Sequence, residues 1–277
     1  MLIDTHSHLN FDSYNDDRDD VIKRSLDNGV WMINVGSQYS TSKKAIEISE
    51  NYPKGVYAAV GLHPIHIETN LVKMKQDLEE VQQLQEKGEI FNFEKYKTLA
   101  KNEKVKAIGE VGLDYYYKPK TKAKKEIFKE SQRNVLEQEM ELARELDLPV
   151  IFHCRMAHQD LLEILKAQLL RFKIKGAIHC FTGSWQEAEK YLDMGLYLGF
   201  NGIIFKLGLD EVINRTPLDR ILIETDCPYL TPPAMGGKRN EPVYVKYVAE
   251  KIAQLKNLKL NEVEGKTTEN AKKLFKI

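Results

Sequence analysis

Two histidines, His6 and His8, stand two residues apart near the start of the chain, in the segment MLIDTHSHL. Side chains of a strand alternate between its faces, so this spacing puts both imidazoles on one side, which in a barrel is the interior. Asp4 shares that parity one layer deeper, where it is placed to take a proton from a ring's second nitrogen. An isolated HxH is equally at home in a fraying terminus. Four further ionisable residues shift the balance: Glu110 closes VKAIGE, His153 closes VIFH, His179 closes GAIH and Asp226 closes ILIETD. Taken singly, each charge is a cap or a solvated turn. Six imidazoles and carboxylates converging on one mouth need a shared partner, because a packed interior does not hold unpaired ionised groups. Imidazole with carboxylate suits magnesium, manganese or zinc, and no cysteine is placed to build a thiolate-rich zinc site.

Other residues offer supporting chemistry. His63 directly follows an apolar run and precedes Pro64, which fixes the loop direction, so it joins Glu110 and Asp226 as a candidate catalytic residue. His66 is either a substrate contact or a solvated loop residue, and His158 reads as a helix cap or a surface residue. Arg155 presents a planar fork that suits either a phosphate or a rim carboxylate. Lys238 and Arg239 form a second basic pair. Tyr115, Tyr116 and Tyr117 precede Lys118, Lys120, Lys122, Lys124 and Lys125, a pattern that fits base stacking with backbone attraction, or a plain solvated helix start.

Eight short apolar runs position these groups. They are Leu2–Ile3, GVWMINVG from Gly29, GVYAAVG from Gly55, VKAIGEVG from Val105, LPVIFHC from Leu148, IKGAIHCF from Ile174, GLYLGFNG from Gly195 and RILIETD from Arg220. Their length and β-branched content suit strands buried on both faces. Helical segments are expected at about 41–51, at about 122–146 with an apolar face of Ile127, Val135, Met140, Leu142 and Leu146, at 184–194 with Ser184 as cap, at 243–255 and at 262–274. The stretch 68–102 exceeds one crossover and is expected to hold a helix at about 70–85, an insertion around 87–93 and a second helix. Strand–helix alternation repeated eight times gives a closed barrel or an open doubly wound sheet. The turn after GVWMINVG reads SQYST rather than GxGxxG, and polar residues gather at the C-terminal ends of the strands, so the expectation is an α/β, TIM-type (β/α)8 barrel, with residues 1–277 as a single domain.

Composition excludes several classes. With 277 residues, 42% hydrophobic and 30% charged, the chain reads as globular rather than disordered. Its 41 basic and 41 acidic residues cancel, which argues against coating nucleic acid by bulk charge but leaves room for a local phosphate-gripping patch. No apolar stretch reaches the length of a membrane span, and the first residues do not read as a signal peptide. Three scattered cysteines, Cys154, Cys180 and Cys227, fit a reducing, cytoplasmic setting. A monomer is the expected state.

An ordered set of motifs, DTHSHL at Asp4, GLHP at Gly61, GEVGLDYY at Gly109, FHCR at Phe152, HCFTGS at His179, ETDCPYLTP at Glu224, GKRNEP at Gly237 and TTENAKKLF at Thr267, resembles the TatD-type metal-dependent deoxyribonucleases of the amidohydrolase superfamily. The resemblance runs from the first strand to the last helix. It implies a divalent-metal phosphodiesterase acting on DNA, commonly by 3′-to-5′ exonucleolytic cleavage of a single-stranded 3′ end. It also implies that His6, His8 and Asp226 hold one metal ion and His153 and His179 a second, with Glu110 bridging; magnesium is the expected ion, with manganese or zinc as alternatives. Arg155, Lys238, Arg239 and Tyr115 are the expected substrate contacts. Two positions depart from the family pattern: Met156 stands where many relatives carry an acidic residue, and Gly236 where an arginine is common. The rival readings are a hydrolase of a small phosphoester or of a cyclic amide or lactone, and a non-enzymatic binding barrel. Many amidohydrolase relatives bridge their metals with a carboxylated lysine after the fourth strand, where this chain has Glu110.

Overall fold

A computed structural model describes residues 1–69, 71, 79–80 and 88–277. Each apolar run forms a strand: β1 (Leu2–Ser7), β2 (Val30–Val35), β3 (Val56–Val60), β4 (Val105–Asp114), β5 (Val150–Arg155), β6 (Gly176–Ile178), β7 (Tyr197–Phe200) and β8 (Ile221–Ile223). They pair in parallel and in chain order. Backbone bonds close the seam between β8 and β1: Asp226 N–H donates to the His6 carbonyl at 2.8 Å and His8 N–H to the Cys227 carbonyl at 2.9 Å. This is the expected eight-stranded barrel.

Helices cover its outside: α1 (Arg18–Asp27), α2 (Tyr39–Glu50), α3 (Phe93–Ala100), α4 (Lys122–Glu145), α5 (His158–Leu169), α6 (Trp185–Asp193), α7 (Asp210–Arg215), α8 (Val245–Lys256) and α9 (Leu260–Phe275). Ser184 caps α6 as expected, its hydroxyl accepting from Glu187 N–H while the Glu187 carboxylate reaches back to Ser184 N–H. The helix expected at 70–85 lies outside the described residues, whereas the second helix of that stretch is α3. The apolar face of α4 is misplaced by one residue in the sequence reading: Ile127 is 57% exposed, and the buried position is Phe128, one residue on. The expectation extended the stripe upstream from Val135 by eight residues, where 3.6 residues per turn makes seven the better step.

Inside the barrel, Ile3, Ile33, Tyr57, Ala107, Ile151, Ala177, Tyr197 and Leu222 bring all eight strands into a single cluster, to which β2 and β3 add Val35 and Ala59 and onto which α9 lays Ala271, Leu274 and Phe275. Most of these residues sit early in their strands, so α9 packs toward the N-terminal end and leaves the C-terminal end for chemistry. Two strands that carry site residues hold an extra residue relative to their neighbours. The register slips between Asp4 and Ser7 on β1 and between Ile108 and Val111 on β4. A one-residue bulge reverses side-chain parity beyond it. It lets Ile3 and His6, three residues apart, both face the interior, and likewise Ala107 and Glu110.

Beyond the β4 bulge, Gly112 holds φ at +148°, and a Cβ there would lie 2.0 Å from the His153 carbonyl oxygen. Gly112→Ala is therefore expected to lower stability by more than about 2 kcal/mol. Urea unfolding measures this directly, and a variant as stable as wild type would show that β4 and β5 relax around the methyl group.

Candidate metal centre

The six residues singled out for metal binding meet at the C-terminal mouth. The Glu110 carboxylate lies between them. Its Oε2 is 3.3 Å from His6 Nε2 and 3.8 Å from His8 Nε2, while its Oε1 is 2.7 Å from His153 Nδ1, 2.9 Å from His179 Nε2 and 3.4 Å from His63 Nε2. Asp226 Oδ1 is 3.4 Å from His8 Nε2 and 3.9 Å from His6 Nε2. Three overlapping groups have mutually close donor atoms: His6–His179–Asp226, His6–His8–Glu110 and His63–Glu110–His153. Burial opposes charge on Glu110, yet His179, His63 and His6 around it hold its carboxylate well below the usual range.

The partners of the rings decide which nitrogens are free to bind a cation. A backbone carbonyl only accepts, so the 2.8 Å contact of His8 Nδ1 with the Val35 carbonyl puts the proton on Nδ1 and leaves the Nε2 lone pair bare. His179 Nδ1 faces Glu224 Oε1 at 3.1 Å, which directs its Nε2 at Glu110. His153 Nε2 faces Asp114 Oδ2 at 3.1 Å, which directs its Nδ1 the same way. His6 and His8 bring their Nε2 atoms within 3.1 Å of each other beside two carboxylates, while His6 Nδ1 is buried without a partner among the described residues. Lone pairs converging in a buried pocket with net negative carboxylates fit a divalent cation, and the carboxylate-oriented imidazoles have the form metal-binding histidines take.

Local backbone geometry aims these groups. Met156, Cys180 and Asp226 have left-handed φ values of 58°, 45° and 57°. They mark the turns after β5, β6 and β8, which carry His153, His179 and Asp226 itself. Non-glycine residues keep such angles only where their surroundings over-determine them.

Several sequence expectations change here. Asp4 does not meet a ring nitrogen. Its carboxylate accepts from Thr225 N–H at 2.8 Å, Thr225 Oγ1 at 2.5 Å and His6 N–H at 3.2 Å, so it ties β1 to the loop that bears Asp226. The β1 bulge is the reason, since it takes Asp4 off the face shared by His6 and His8. Burial pushes its carboxyl up to about 8. His158 is neither cap nor surface; it opens α5 with its ring buried between Phe181 and Tyr191, Nδ1 3.1 Å from the Tyr191 hydroxyl. His66 is not a solvated residue: its Nε2 is 2.8 Å from Glu80, which also accepts from Ser37 and Gln38. His63 does reach the mouth.

Among the expected substrate contacts, Arg155 is half exposed, its guanidinium 3.7 Å from the Tyr116 ring centroid. Tyr115 is buried, donating to Asp160 at 2.9 Å, and it is Tyr116 and Tyr117 that reach solvent. Lys238 is exposed, whereas Arg239 donates to the Ser13 carbonyl and pairs with Asp17 at 2.6 Å. Among the described residues, a side chain at Gly236 would meet only the Pro233 carbonyl at 3.4 Å, so the described fold does not demand glycine there. Sequence reasoning missed Asp114 and Glu224. Both were accessible by parity, Asp114 four residues from Glu110 and Glu224 two from the interior Leu222.

A family model described as TatD related DNase matches residues 3–276. The chain is 42% identical to the uncharacterized metal-dependent hydrolase YabD of Bacillus subtilis over the full length of both chains. It is 31% identical to the 3′-5′ ssDNA/RNA exonuclease TatD of Erwinia tasmaniensis, again over the full length of both. The crystal structure of YjjV, a TatD homolog from Escherichia coli, superposes with a TM-score of 0.81 at 28% identity, covering 100% of this chain and 98% of that one. No helix among the described residues is long and apolar enough to cross a membrane. With its barrel, its buried cluster of imidazoles and carboxylates and these full-length matches, the chain belongs to the TatD-related DNase family and is a metal-dependent hydrolase.

Proposed function

We propose that this enzyme hydrolyses phosphodiester bonds of DNA, removing nucleotides from a single-stranded 3′ end with two divalent cations, magnesium foremost. One observation carries the reading: beside the buried donor cluster stands Arg155, half exposed, whose side chain makes no hydrogen bond among the described residues. Its guanidinium lies over the Tyr116 ring and 4.0 Å from Asp114 Oδ2, and a cation site next to a half-exposed guanidinium fork matches an ionised phosphodiester. The full-length relative named as a 3′-5′ ssDNA/RNA exonuclease supports the same substrate class.

In this reading His6, His8 and Asp226 would hold one ion and His153 and His179 the other, with a Glu110 oxygen toward each group. Cations held there would lower the pKa of water and neutralise charge on the phosphate. Burial opposes ionisation of Asp226, but His8, His179 and His6 hold its carboxyl below the usual range, so it is available to take the proton of the attacking water. His63 Nδ1 accepts from Ile65 N–H at 3.1 Å, which puts the ring proton on Nε2, facing the mouth. Burial pushes this imidazole down to about 4, so it is neutral at pH 7 and serves as a hydrogen-bond donor to a phosphate or leaving oxygen. Lys238 adds an exposed charge on the loop after β8, and Arg239 ties that loop to Ser13 and Asp17.

Steady-state kinetics on a 3′-labelled single strand, run beside a thermal melt, test the reading at Arg155. Arg155→Ala is expected to lower kcat/KM roughly ten- to a hundredfold, as the loss of a charged hydrogen bond predicts. Arg155→Lys falls between, and metal content and Tm stay near wild type. Unchanged kinetics with a lowered Tm would make Arg155 a structural partner of Asp114 and Tyr116.

A further inference from the structure

The loop after β4 carries features that cleaving one phosphodiester bond does not require. Tyr116 and Tyr117 are 49% and 42% exposed, and their rings meet edge to face with centroids 4.7 Å apart. Tyr116 N–H donates to Asp114 Oδ1 at 2.8 Å, and the other oxygen of that carboxylate faces His153. The aromatic pair is thus anchored to the group that orients a metal-site histidine. Beyond it, residues 116–125 read YYKPKTKAKK, five lysines without an acid, in a chain whose charges otherwise cancel.

Lys118, Lys120, Lys122 and Lys124 are exposed, and no ion pair within the described residues engages them, whereas Lys129, further along α4, is paired with Asp160 at 3.0 Å. The first turn of the 24-residue α4 holds no acidic residue. A helix N-terminus is the positive end of the peptide dipole, so stability favours aspartate or glutamate there and disfavours lysine. The lysines concentrate positive potential where the helix already supplies it, which suits an anion that approaches from outside.

We propose that Tyr116–Lys125 is the track along which the rest of a single strand runs away from the metal centre. Bases stack on Tyr117 and on the part of Tyr116 that the Arg155 guanidinium, 3.7 Å from its ring centroid, leaves exposed, and phosphates pass the lysines and the start of α4. This rests on the polynucleotide reading above and adds to it a requirement for length: a strand of several nucleotides is held, and a dinucleotide is not.

The test is fluorescence anisotropy of a 5′-labelled, phosphorothioate-linked dodecathymidylate with the metal-loaded protein at a series of salt concentrations. Each neutralised phosphate of a single strand contributes about 0.7 to the slope of log Kd against log salt. Replacing Lys118, Lys120, Lys122 and Lys124 by glutamine is expected to reduce the slope by about 2–3 and to weaken low-salt binding at least tenfold, with Tm equal to or above wild type. Tyr116→Ala with Tyr117→Ala is expected to weaken binding roughly tenfold or more at an unchanged slope, and the corresponding phenylalanine pair to restore it. A wild-type slope in the lysine variant, or wild-type affinity in the alanine pair, overturns the track. Absence of strand binding by the wild-type protein instead overturns the substrate reading on which the track depends.

Discussion

Glu110→Gln is expected to lower hydrolysis roughly a thousandfold, the equivalent of about 4 kcal/mol of lost transition-state stabilisation. The carboxylate is buried, with one oxygen toward His6 and His8 and the other toward His153, His179 and His63. Glutamine keeps the size but presents one acceptor and one donor, and the donor faces ring nitrogens or a cation. Both halves of the centre lose their shared charge at once. Elemental analysis of the purified variant should therefore show lower occupancy at two sites rather than one. A variant retaining two equivalents as tightly as wild type would remove Glu110 from the bridging position.

The paired change His6→Ala with His8→Ala should abolish measurable hydrolysis while leaving the barrel folded. The two Nε2 atoms lie 3.1 Å apart beside Glu110 and Asp226, and removing both leaves Asp226 and one oxygen of Glu110 without these imidazoles, while His153, His179 and His63 still surround the other Glu110 oxygen. The interior cluster from Ile3 to Leu222 and α9 lie toward the opposite end of the barrel and are untouched. A circular dichroism spectrum like that of wild type, with activity gone, is the expected pair of results. Retained turnover would return both histidines to a structural role.

Most of the strands were legible because each is a short, nearly continuous apolar run, as strands buried on both faces must be, whereas β1, LIDTHS, offers only Leu2 and Ile3 before its polar residues. The ligand-type residues were legible for the complementary reason: an ionisable group ending such a run has no solvent to face. Parity was harder. The bulges of β1 and β4 arise from tertiary register and leave no local signature, so Asp4 was assigned to the face of His6 when its carboxylate binds Thr225 instead. His158 reads from sequence as a cap or surface residue, and His66 as a substrate contact or solvated loop residue, because their partners, Tyr191 and Glu80, are 33 and 14 residues away in the chain. The three tyrosines after β4 could not be told apart by type. Only packing shows that Tyr115 turns inward to Asp160 while Tyr116 meets Arg155.

The most direct measurement follows hydrolysis of a 3′-labelled single strand by the same protein stripped with chelator and then resupplied with metal. No turnover after stripping, recovery with magnesium or manganese, and a ladder shortening from the 3′ end are the predicted results, with about two equivalents of metal bound on recovery. Undiminished hydrolysis in chelator would contradict a metal centre built on His6, His8, Glu110, His153, His179 and Asp226.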